Sequence, residues 1–213
     1  MVRIEDNKIA IKVLYWGMYR SGKTTSVDTL YRMTKEQNKD VFPVGSLTKI
    51  QRASGATLYF DRGVFQSRKQ KQVEYHIYTV AGQISYKPLR EKIFQGTDGV
   101  LFVVDSQTHL FEDNIEALKE LKSVAKKKLI KEIPLVLMLN KQDLPDVIGK
   151  KEILQVLKDE NLWFENENEF HILNPVIYET VALYDKKKNI YRSFAECARQ
   201  IVNRISSIEK ETF

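Results

Sequence analysis

The chain alternates short apolar runs with longer stretches in which apolar residues recur every three or four positions. The short runs are typical of β-strands, and the longer stretches are typical of amphipathic helices. The strand-like runs occupy residues 9–17, 56–63, 71–82, 98–106, 133–143 and 173–180. The helical spacing occupies residues 21–36, 114–128, 150–164 and 190–208.

The alternation of these two patterns indicates the class of fold. A strand–helix–strand rhythm implies a mostly parallel sheet with helices on both faces. Residues 98–106 are apolar almost throughout, as expected of a strand that is buried on both faces. We predict an α/β fold with a mostly parallel six-stranded sheet. We expect a single domain over residues 1–213, because the sequence has no repeat, low-complexity segment or Pro/Gly-rich linker.

The composition is that of a folded domain with a mildly basic charge. Hydrophobic residues make up 43% of the chain, which is enough for a substantial core. The net charge of +6 is compatible with anionic ligands, acidic partners or peripheral contact with an anionic membrane. The lysine-rich runs 68–71, 126–128 and 186–188 are typical of solvated turns. Since no aromatic residues interleave them, we predict no nucleic-acid partner beyond a nucleotide.

The sequence favours a cytoplasmic location. Cys197 is the single cysteine, so an intramolecular disulfide is excluded, and apolar neighbours at helical spacing place it in a core. No apolar run approaches the roughly 20 residues that span a bilayer. The first residues do not form a signal peptide pattern, and Val2 excludes N-myristoylation. We expect a monomer.

A glycine-rich loop follows the first predicted strand. Residues 17–24, GMYRSGKT, match the P-loop pattern of Gly, four residues and then Gly-Lys-Ser/Thr. In such a loop Gly22 permits close approach to the phosphates, Lys23 supplies a cation and Thr24 offers a hydroxyl to Mg²⁺. The chain is therefore predicted to be a P-loop NTPase. The other residues of this loop expected at the nucleotide are Tyr19, Arg20, Ser21 and Thr25.

Two motifs after later strands predict which base is bound. In NKQD, Asp143 can accept two hydrogen bonds from the guanine N1–H and 2-amino group, a pair that adenine does not offer. Asn140 can bind the base and brace the phosphate loop, and the Lys141 stem can cover the base face. After the last strand, a backbone N–H at Val181 or Ala182, foremost Ala182, can meet the guanine O6. These motifs disfavour an ATP-using P-loop kinase.

The sequence TVAGQ, at the end of the third predicted strand, carries the candidate catalytic group. The N–H of Gly82 can contact a γ-phosphate, and Gln83 can orient the attacking water for in-line hydrolysis. Thr79 begins this motif and has no carboxylate with which to hold a magnesium-bound water. The carboxylate is therefore expected elsewhere.

A polar stretch after the first predicted helix is the expected switch region, from about residue 39 to residue 61. Thr57 can reach Mg²⁺ and the γ-phosphate only when GTP is present, which makes the conformation depend on the γ-phosphate. Thr48 is a weaker competitor for this role. Asp61 lies two strand steps beyond Thr57, and we predict that it supplies the missing carboxylate near the metal. In the alternative interpretation, Asp61 only shapes the end of the strand and does not contribute to the metal site.

Together these motifs resemble the Ras-like small GTPase superfamily, and most closely its prokaryotic MglA-type branch of cell-polarity and gliding-motility GTPases. The resemblance covers most of the chain, and Thr79 is typical of this branch. SGKTT and NKQDLP also resemble Arf-type GTPases. The matching segments are SGKTT at 21–25, TLYFD at 57–61, YHIYTVAGQISY at 75–86, GTDGVLFVVDS at 96–106 and NKQDLPD at 140–146.

The resemblance implies a molecular switch that binds GTP and GDP with Mg²⁺ and hydrolyses GTP slowly. It implies effector proteins that bind the GTP state. It also implies stimulation by a regulator of the roadblock/longin type, which would reposition the switch segments rather than only donate an arginine.

Two positions depart from the pattern of the branch. Ala56 stands where the branch carries an arginine finger, directly before the switch threonine, and Tyr19 stands where it carries glycine. Arg52 and Arg62 are candidates for replacing the arginine. A second hypothesis therefore stays open, in which the protein is a GTP-dependent scaffold with negligible hydrolysis. Arg20, beside Tyr19, is expected to face phosphate, a partner or solvent.

Overall fold

The computed structural model of the protein describes the backbone of residues 3–5, 8–51, 57–80 and 87–211. Side chains are described for residues 8–48, 62–80 and 89–206. In this part of the chain the strands are β1 (Arg3–Glu5), β2 (Lys8–Trp16), β3 (Val41–Gln51), β4 (Thr57–Ser67), β5 (Val73–Thr79), β6 (Gly99–Asp105), β7 (Leu135–Asn140) and β8 (Val176–Glu179). The helices are α1 (Lys23–Glu36), α2 (Lys87–Phe94), α3 (Phe111–Val124), α4 (Lys150–Asp159) and α5 (Ile190–Glu211).

The described strands form one mixed sheet in the order β3-β4-β5-β2-β6-β7-β8, with β1 paired to β2. The five strands from β5 to β8 in this order run parallel to one another. The strands β3 and β4 add an antiparallel hairpin at one edge. The predicted mostly parallel α/β sheet is confirmed.

The structure adds two strands, β1 and β3, to the six that the apolar runs predict. The sequence of β3 contains Pro43 and Gly45, which interrupt the apolar alternation that marks a strand. Proline is tolerated in an edge strand, because its missing N–H can face away from the ladder. The segment expected as a polar switch stretch therefore lies largely within the β3–β4 hairpin.

Both faces of the sheet are covered by helices, as the alternating pattern predicts. The last two residues of β2 lie on opposite faces of the sheet. Tyr15 belongs to the buried cluster that includes residues of α1 and α5, and Trp16 belongs to the cluster that includes residues of α3 and α4. Every residue of β6 and β7 is buried. Cys197 of α5 is also fully buried, which confirms its predicted place in the core.

The fold brings the carboxyl ends of β2, β6, β7 and β8 to one edge of the sheet, because these strands are parallel neighbours. The phosphate loop follows β2, Asp105 ends β6 and Asn140 ends β7. Asp105 lies directly opposite Asn140 in the ladder. The phosphate loop, the NKQD motif and the loop after β8 therefore converge. Within the described ranges no helix is long and apolar enough to cross a membrane.

Candidate functional site

The loop between β2 and α1 adopts a conformation that requires glycine at two positions. Gly17 has φ 145°, and a Cβ there would lie 2.2 Å from the backbone oxygen of Val103. Gly22 has φ 100°, and a Cβ there would lie 2.2 Å from Nδ2 of Asn140. Side chains at these positions would be strained and would clash. The loop thus packs directly against β6 and the end of β7.

The lysine of this loop is folded back onto the loop itself. Lys23 is the first residue of α1 and is 7% exposed. Its Nζ donates to the carbonyl oxygens of Gly17, at 3.0 Å, and Met18, at 2.6 Å. The half-buried Thr24 and Thr25 follow in the first turn of α1. A buried ammonium and a helix N-terminus at one place form a cationic cradle that favours phosphate.

The side chains at the tip of the loop differ in their burial. The hydroxyl of Ser21 is fully buried and has no hydrogen-bond partner in the described part of the chain. Tyr19 and Arg20 are exposed, and the Arg20 guanidinium carbon lies 5.2 Å from the centre of the Tyr19 ring. Arg20 has φ 61°, an uncommon conformation for a residue other than glycine. The structure places Tyr19 at the outer surface of the loop, stacked with Arg20.

A buried amide at the end of β7 connects three loops. Asn140 is 2% exposed, and its Nδ2 donates to the carbonyl oxygen of Ser21 at 2.8 Å. Its Oδ1 accepts from the backbone N–H of Ala182 at 2.9 Å. The brace to the phosphate loop that the sequence predicts is therefore present. The contact of Asn140 with a base remains a prediction.

The loop after β8 is held by one further contact. The hydroxyl of Thr29, in α1, donates to the carbonyl oxygen of Ala182 at 2.5 Å. Val181 and Ala182 are both buried. The N–H of Ala182, which the sequence assigns to the guanine O6, here donates to Asn140 instead. A contact with O6 through this N–H requires that hydrogen bond to be shared or exchanged.

Asp105 is a residue of the site whose role the sequence did not reveal. Its side chain is fully buried, and its Oδ2 lies 2.5 Å from Nζ of Lys141. Asn114 holds Asp105 in place, because its side chain bonds both the N–H and the carbonyl oxygen of that residue. The sequence carried no signal for this contact, because it depends on the pairing of Asp105 with Asn140 across β6 and β7. The Lys141 side chain is thereby fixed beside the base-recognition motif.

The carboxylate predicted to recognise guanine lies next to a cation. Asp143 is partly buried, and its Oδ2 lies 3.6 Å from Nζ of Lys186 in the loop after β8. Lys186 is largely exposed, so this ion pair is worth little and its lysine can move away. The arrangement leaves Asp143 available to other donors.

Several predicted residues lie outside the described part of the chain. Gly82 and Gln83 fall within residues 81–86, and Ala56 and Arg52 fall within residues 52–56. Thr57 and Asp61 are described in their backbone only, where they pair with Gln51 and Lys49 in the β3–β4 hairpin. Their roles remain predictions.

Thr79 and Arg62 have described side chains. Thr79 is 1% exposed at the end of β5, opposite Tyr15. The guanidinium carbon of Arg62 lies 5.8 Å from the centre of the Tyr78 ring. This ring also packs against the ammonium of Lys12, at 5.0 Å. Arg62 is thus engaged with the sheet surface in this conformation.

The residues present fit a magnesium ion through the chemistry of their donors. The hydroxyl of Thr24 follows Lys23 in the cradle, and hydroxyl oxygens are ligands that Mg²⁺ accepts. Among the described residues no group of three His, Cys, Asp or Glu side chains forms a metal cage. Mg²⁺ in phosphate sites uses few protein ligands together with substrate oxygens and water, so a cage is not required.

The phosphate loop, the Asn140 brace and the mostly parallel sheet with helices on both faces are the features of a small GTPase. The model of the ADP-ribosylation factor family matches residues 1–193, and the chain belongs to this family. This match, together with the MglA relative described next, confirms the predicted resemblance to Ras-like and MglA-like GTPases. As a member of this family, the protein is a guanine-nucleotide-binding switch that hydrolyses GTP and works with regulators and effectors.

Two similar proteins support this assignment. The chain is 32% identical over 168 residues to the mutual gliding-motility protein MglA of Myxococcus xanthus (strain DK1622). The aligned region covers 76% of this chain and 82% of MglA. The structure also resembles that of the Arl6 BBS3 small GTPase from Trypanosoma brucei with the bound nucleotide analogue GppNp. The TM-score is 0.64 at 20% identity, covering 92% of this chain and 99% of that chain, and this likeness shows the fold alone.

Proposed function

We propose that the protein is an MglA-like switch that binds GTP and GDP with Mg²⁺ and hydrolyses GTP slowly. The observation that carries this proposal is the Asn140 side chain, which ties the phosphate loop to the loop after β8. Phosphate recognition and base recognition are thereby built into one rigid unit. The preorganised unit favours a nucleotide over a free phosphate or a free base.

The phosphates are bound by the cradle at the N-terminus of α1. Lys23 exchanges its bonds with the carbonyl oxygens of Gly17 and Met18 for bonds with phosphate oxygens. The buried position of this ammonium strengthens its attraction to a charged ligand. Ser21, Gly22, Thr24 and Thr25 complete the cradle, and Tyr19 and Arg20 cover its outer side.

The base is recognised by the loop that follows β7. Asp143 accepts hydrogen bonds from the guanine N1–H and 2-amino group after Lys186 moves aside. Lys141, anchored by Asp105, covers the base face with its aliphatic stem. The loop at Val181 and Ala182 closes the pocket near O6.

Residues of the switch segments complete the site in the GTP state. When bound, Mg²⁺ neutralises phosphate charge, and Thr24 and Thr57 are the residues that would hold it. Asp61 supplies the carboxylate that Thr79 lacks. The N–H of Gly82 contacts the γ-phosphate, and Gln83 positions the attacking water.

The intrinsic rate is expected to be slow because Ala56 provides no arginine. An arginine finger contributes about 10³–10⁵ in rate in other GTPases. A regulator of the roadblock/longin type would therefore accelerate hydrolysis by repositioning the switch segments. The alternative is a GTP-dependent scaffold with negligible hydrolysis, which the combination of Ala56 and Tyr19 motivates.

Single-turnover hydrolysis of GTP, with and without candidate roadblock proteins, distinguishes the two functions. Slow release of phosphate that a partner accelerates is the result expected of a switch. Gln83→Leu should abolish the acceleration, whereas Gln95→Leu on the exposed end of the α2–β6 turn should not. No hydrolysis under any of these conditions would favour the scaffold.

A separate experiment tests the metal proposal. Asp61→Asn should weaken Mg²⁺-dependent binding of a non-hydrolysable GTP analogue more than it weakens binding of GDP. This difference is expected because the carboxylate acts only when the switch segments approach the γ-phosphate. Equal weakening for both nucleotides would show that Asp61 only shapes the strand end.

A further inference from the structure

A lysine-rich cleft lies at the opposite end of the sheet from the phosphate loop. Its volume is about 780 Å³, within the range of pockets that bind small molecules. One wall is the end of α3 with the loop to β7, and the other wall is the residues after α4. One wall of the cleft belongs to the loop that leads into β7, and Asn140 ends this strand, whose six residues span roughly 16 Å.

The charge of this cleft is strongly positive. A single carboxylate, Glu160, is present among its lining residues. This carboxylate is already neutralised, because Nζ of Lys122 donates to its Oε2 at 3.0 Å and to its backbone oxygen at 2.6 Å. The five lysines that line the cleft are Lys119, Lys122, Lys126, Lys127 and Lys131.

Helix dipoles account for only part of this charge. The C-termini of α3 and α4 both face the cleft, and each is equivalent to about half a negative charge. Together with Glu160, and with Glu116, whose Oε1 lies 3.5 Å from Nζ of Lys119, they offset about three of the five lysines. Lys126 and Lys127 lie beyond the end of α3, are exposed, and make no ion pair within the described part of the chain. The cleft therefore keeps a surplus of cations.

The backbone around the cleft adopts uncommon conformations to present these groups. Lys126, Lys127, Ile130 and Asn161 all have positive φ values, between 48° and 72°. Such conformations cost free energy for residues other than glycine. All four residues line the cleft, and two of them are consecutive lysines.

The floor of the cleft is apolar. Leu129, Ile130 and Leu162 are almost fully buried, and Phe164 packs beside them. The rim is completed by Lys131, whose ammonium lies 4.7 Å from the centre of the Phe170 ring. An apolar floor beneath a cationic rim is complementary to a ligand that has an apolar part and an anionic group.

We propose that this cleft binds an amphipathic anion, a molecule that carries a phosphate or carboxylate group on an apolar body. The anionic group contacts Lys126, Lys127 and Lys131, and the apolar body rests on Leu129 and Leu162. This is a second ligand site, independent of the nucleotide site.

The shape of the surface favours a discrete ligand over a flat membrane. Phe164 lines the cleft, and the next residues include Glu165, Glu167 and Glu169 before Phe170 returns to contact Phe164 and Lys131. An extended anionic bilayer would bring these carboxylates close to like charges. A ligand small enough to enter the cleft avoids them.

Calorimetric titration with octyl phosphate below its micelle concentration tests this proposal, with inorganic phosphate as a comparison. Saturable one-to-one binding that is tighter than that of inorganic phosphate is expected, and it should weaken as salt increases. Vesicles with and without phosphatidylglycerol form the third arm. Binding of both octyl phosphate and anionic vesicles identifies a lipid headgroup as the source, and binding of octyl phosphate alone identifies a soluble ligand.

Charge reversal supplies the decisive variants. Lys126→Glu/Lys127→Glu should weaken binding of octyl phosphate by at least about tenfold. Lys150→Glu/Lys151→Glu makes the same charge change at exposed positions at the start of α4 and should bind as the wild type does. GDP binding by both variants reports that they are folded.

Three results would overturn the proposal. If octyl phosphate does not bind, or if it binds both charge-reversal variants equally, the lysines do not form a binding site. Equal affinity for octyl phosphate and inorganic phosphate would show that the apolar floor does not contribute to binding. Binding of anionic vesicles without binding of monomeric octyl phosphate assigns this surface to a membrane instead.

Discussion

Nδ2 of Asn140 donates to the backbone oxygen of Ser21 across 2.8 Å, although the two residues are 119 positions apart in the chain. The same side chain accepts a hydrogen bond from the N–H of Ala182. One buried amide therefore determines how the phosphate loop, the base-recognition loop and the loop after β8 are placed relative to one another.

Asn140→Ala should destabilise the protein by about 2–4 kcal/mol, because it leaves two buried backbone groups without partners. Urea unfolding measures this change. Gln142→Ala is the control, since that side chain makes one half-buried hydrogen bond, to the carbonyl oxygen of Ile148, and should cost less than about 1.5 kcal/mol.

Asn140→Asp separates the two arms of the brace. The aspartate can still accept from Ala182, but it presents an oxygen to the carbonyl oxygen of Ser21. We therefore expect the phosphate loop to be more disturbed than the loop after β8, with weaker binding of GDP. Stability and affinity equal to those of the wild type would contradict the role of the brace.

The glycine at the start of the phosphate loop offers a second prediction. Gly17→Ala should place a Cβ against the backbone oxygen of Val103, which cannot move without distorting β6. Gly45→Ala also falls at a positive φ, 71°, but has open space around the new Cβ, so it should cost about 1–2 kcal/mol. The Gly17 variant should lose about 1–3 kcal/mol more and bind GDP poorly. Equal stabilities of the two variants would show that the contact with Val103 is unimportant.

The buried Asp105 offers a third prediction. Asp105→Asn removes the negative charge that anchors Lys141, so GDP affinity should fall by about tenfold. Asp159→Asn at the exposed end of α4 is the matched control and should leave GDP affinity unchanged. Fluorescence titration with a labelled GDP measures both. If the two variants bind GDP equally, the anchoring of Lys141 by Asp105 does not contribute to binding of the guanine base.

The buried thiol predicts a dependence of stability on pH. Burial raises the pKa of Cys197 from 9.0 to about 12. The unfolded chain therefore releases this proton from about pH 9, while the folded chain keeps it. The free energy of unfolding should fall between pH 9 and pH 10, by at most about 1.4 kcal/mol per pH unit from this group. Cys197→Ala should flatten this part of the profile, and an unchanged slope would contradict the assignment.

Sequence patterns predicted the parts of the protein that depend on neighbouring residues. The phosphate loop was recognisable because Gly17, Gly22 and Lys23 act within one turn of the chain. The strands β6 and β7 were recognisable because burial on both faces makes them apolar throughout. The strand β3 was missed because Pro43 and Gly45 are poor strand residues, and its pairing with β4 overrides their preference.

Contacts between distant segments were beyond reach of the sequence. Lys141 meets Asp105 only because two parallel strands end side by side. The lysine cleft arises only where the residues after α3 and α4 meet, whereas the sequence run 126–128 alone predicted a solvated turn. The sequence assigned the N–H of Ala182 to the base. In the structure this N–H donates a hydrogen bond to the side chain of Asn140, which lies 42 positions away in the chain.

The measurement that most directly tests the guanine-nucleotide site compares GDP with xanthosine diphosphate in the wild type and in Asp143→Asn. Xanthine carries an oxygen in place of the 2-amino group, so the amide of the variant can accept from N1–H and donate to that oxygen. We predict that GDP affinity falls by at least about a hundredfold and that xanthosine diphosphate becomes the preferred ligand. Tight GDP binding by the variant, with no gain for xanthosine diphosphate, would contradict the role of Asp143 in reading the base.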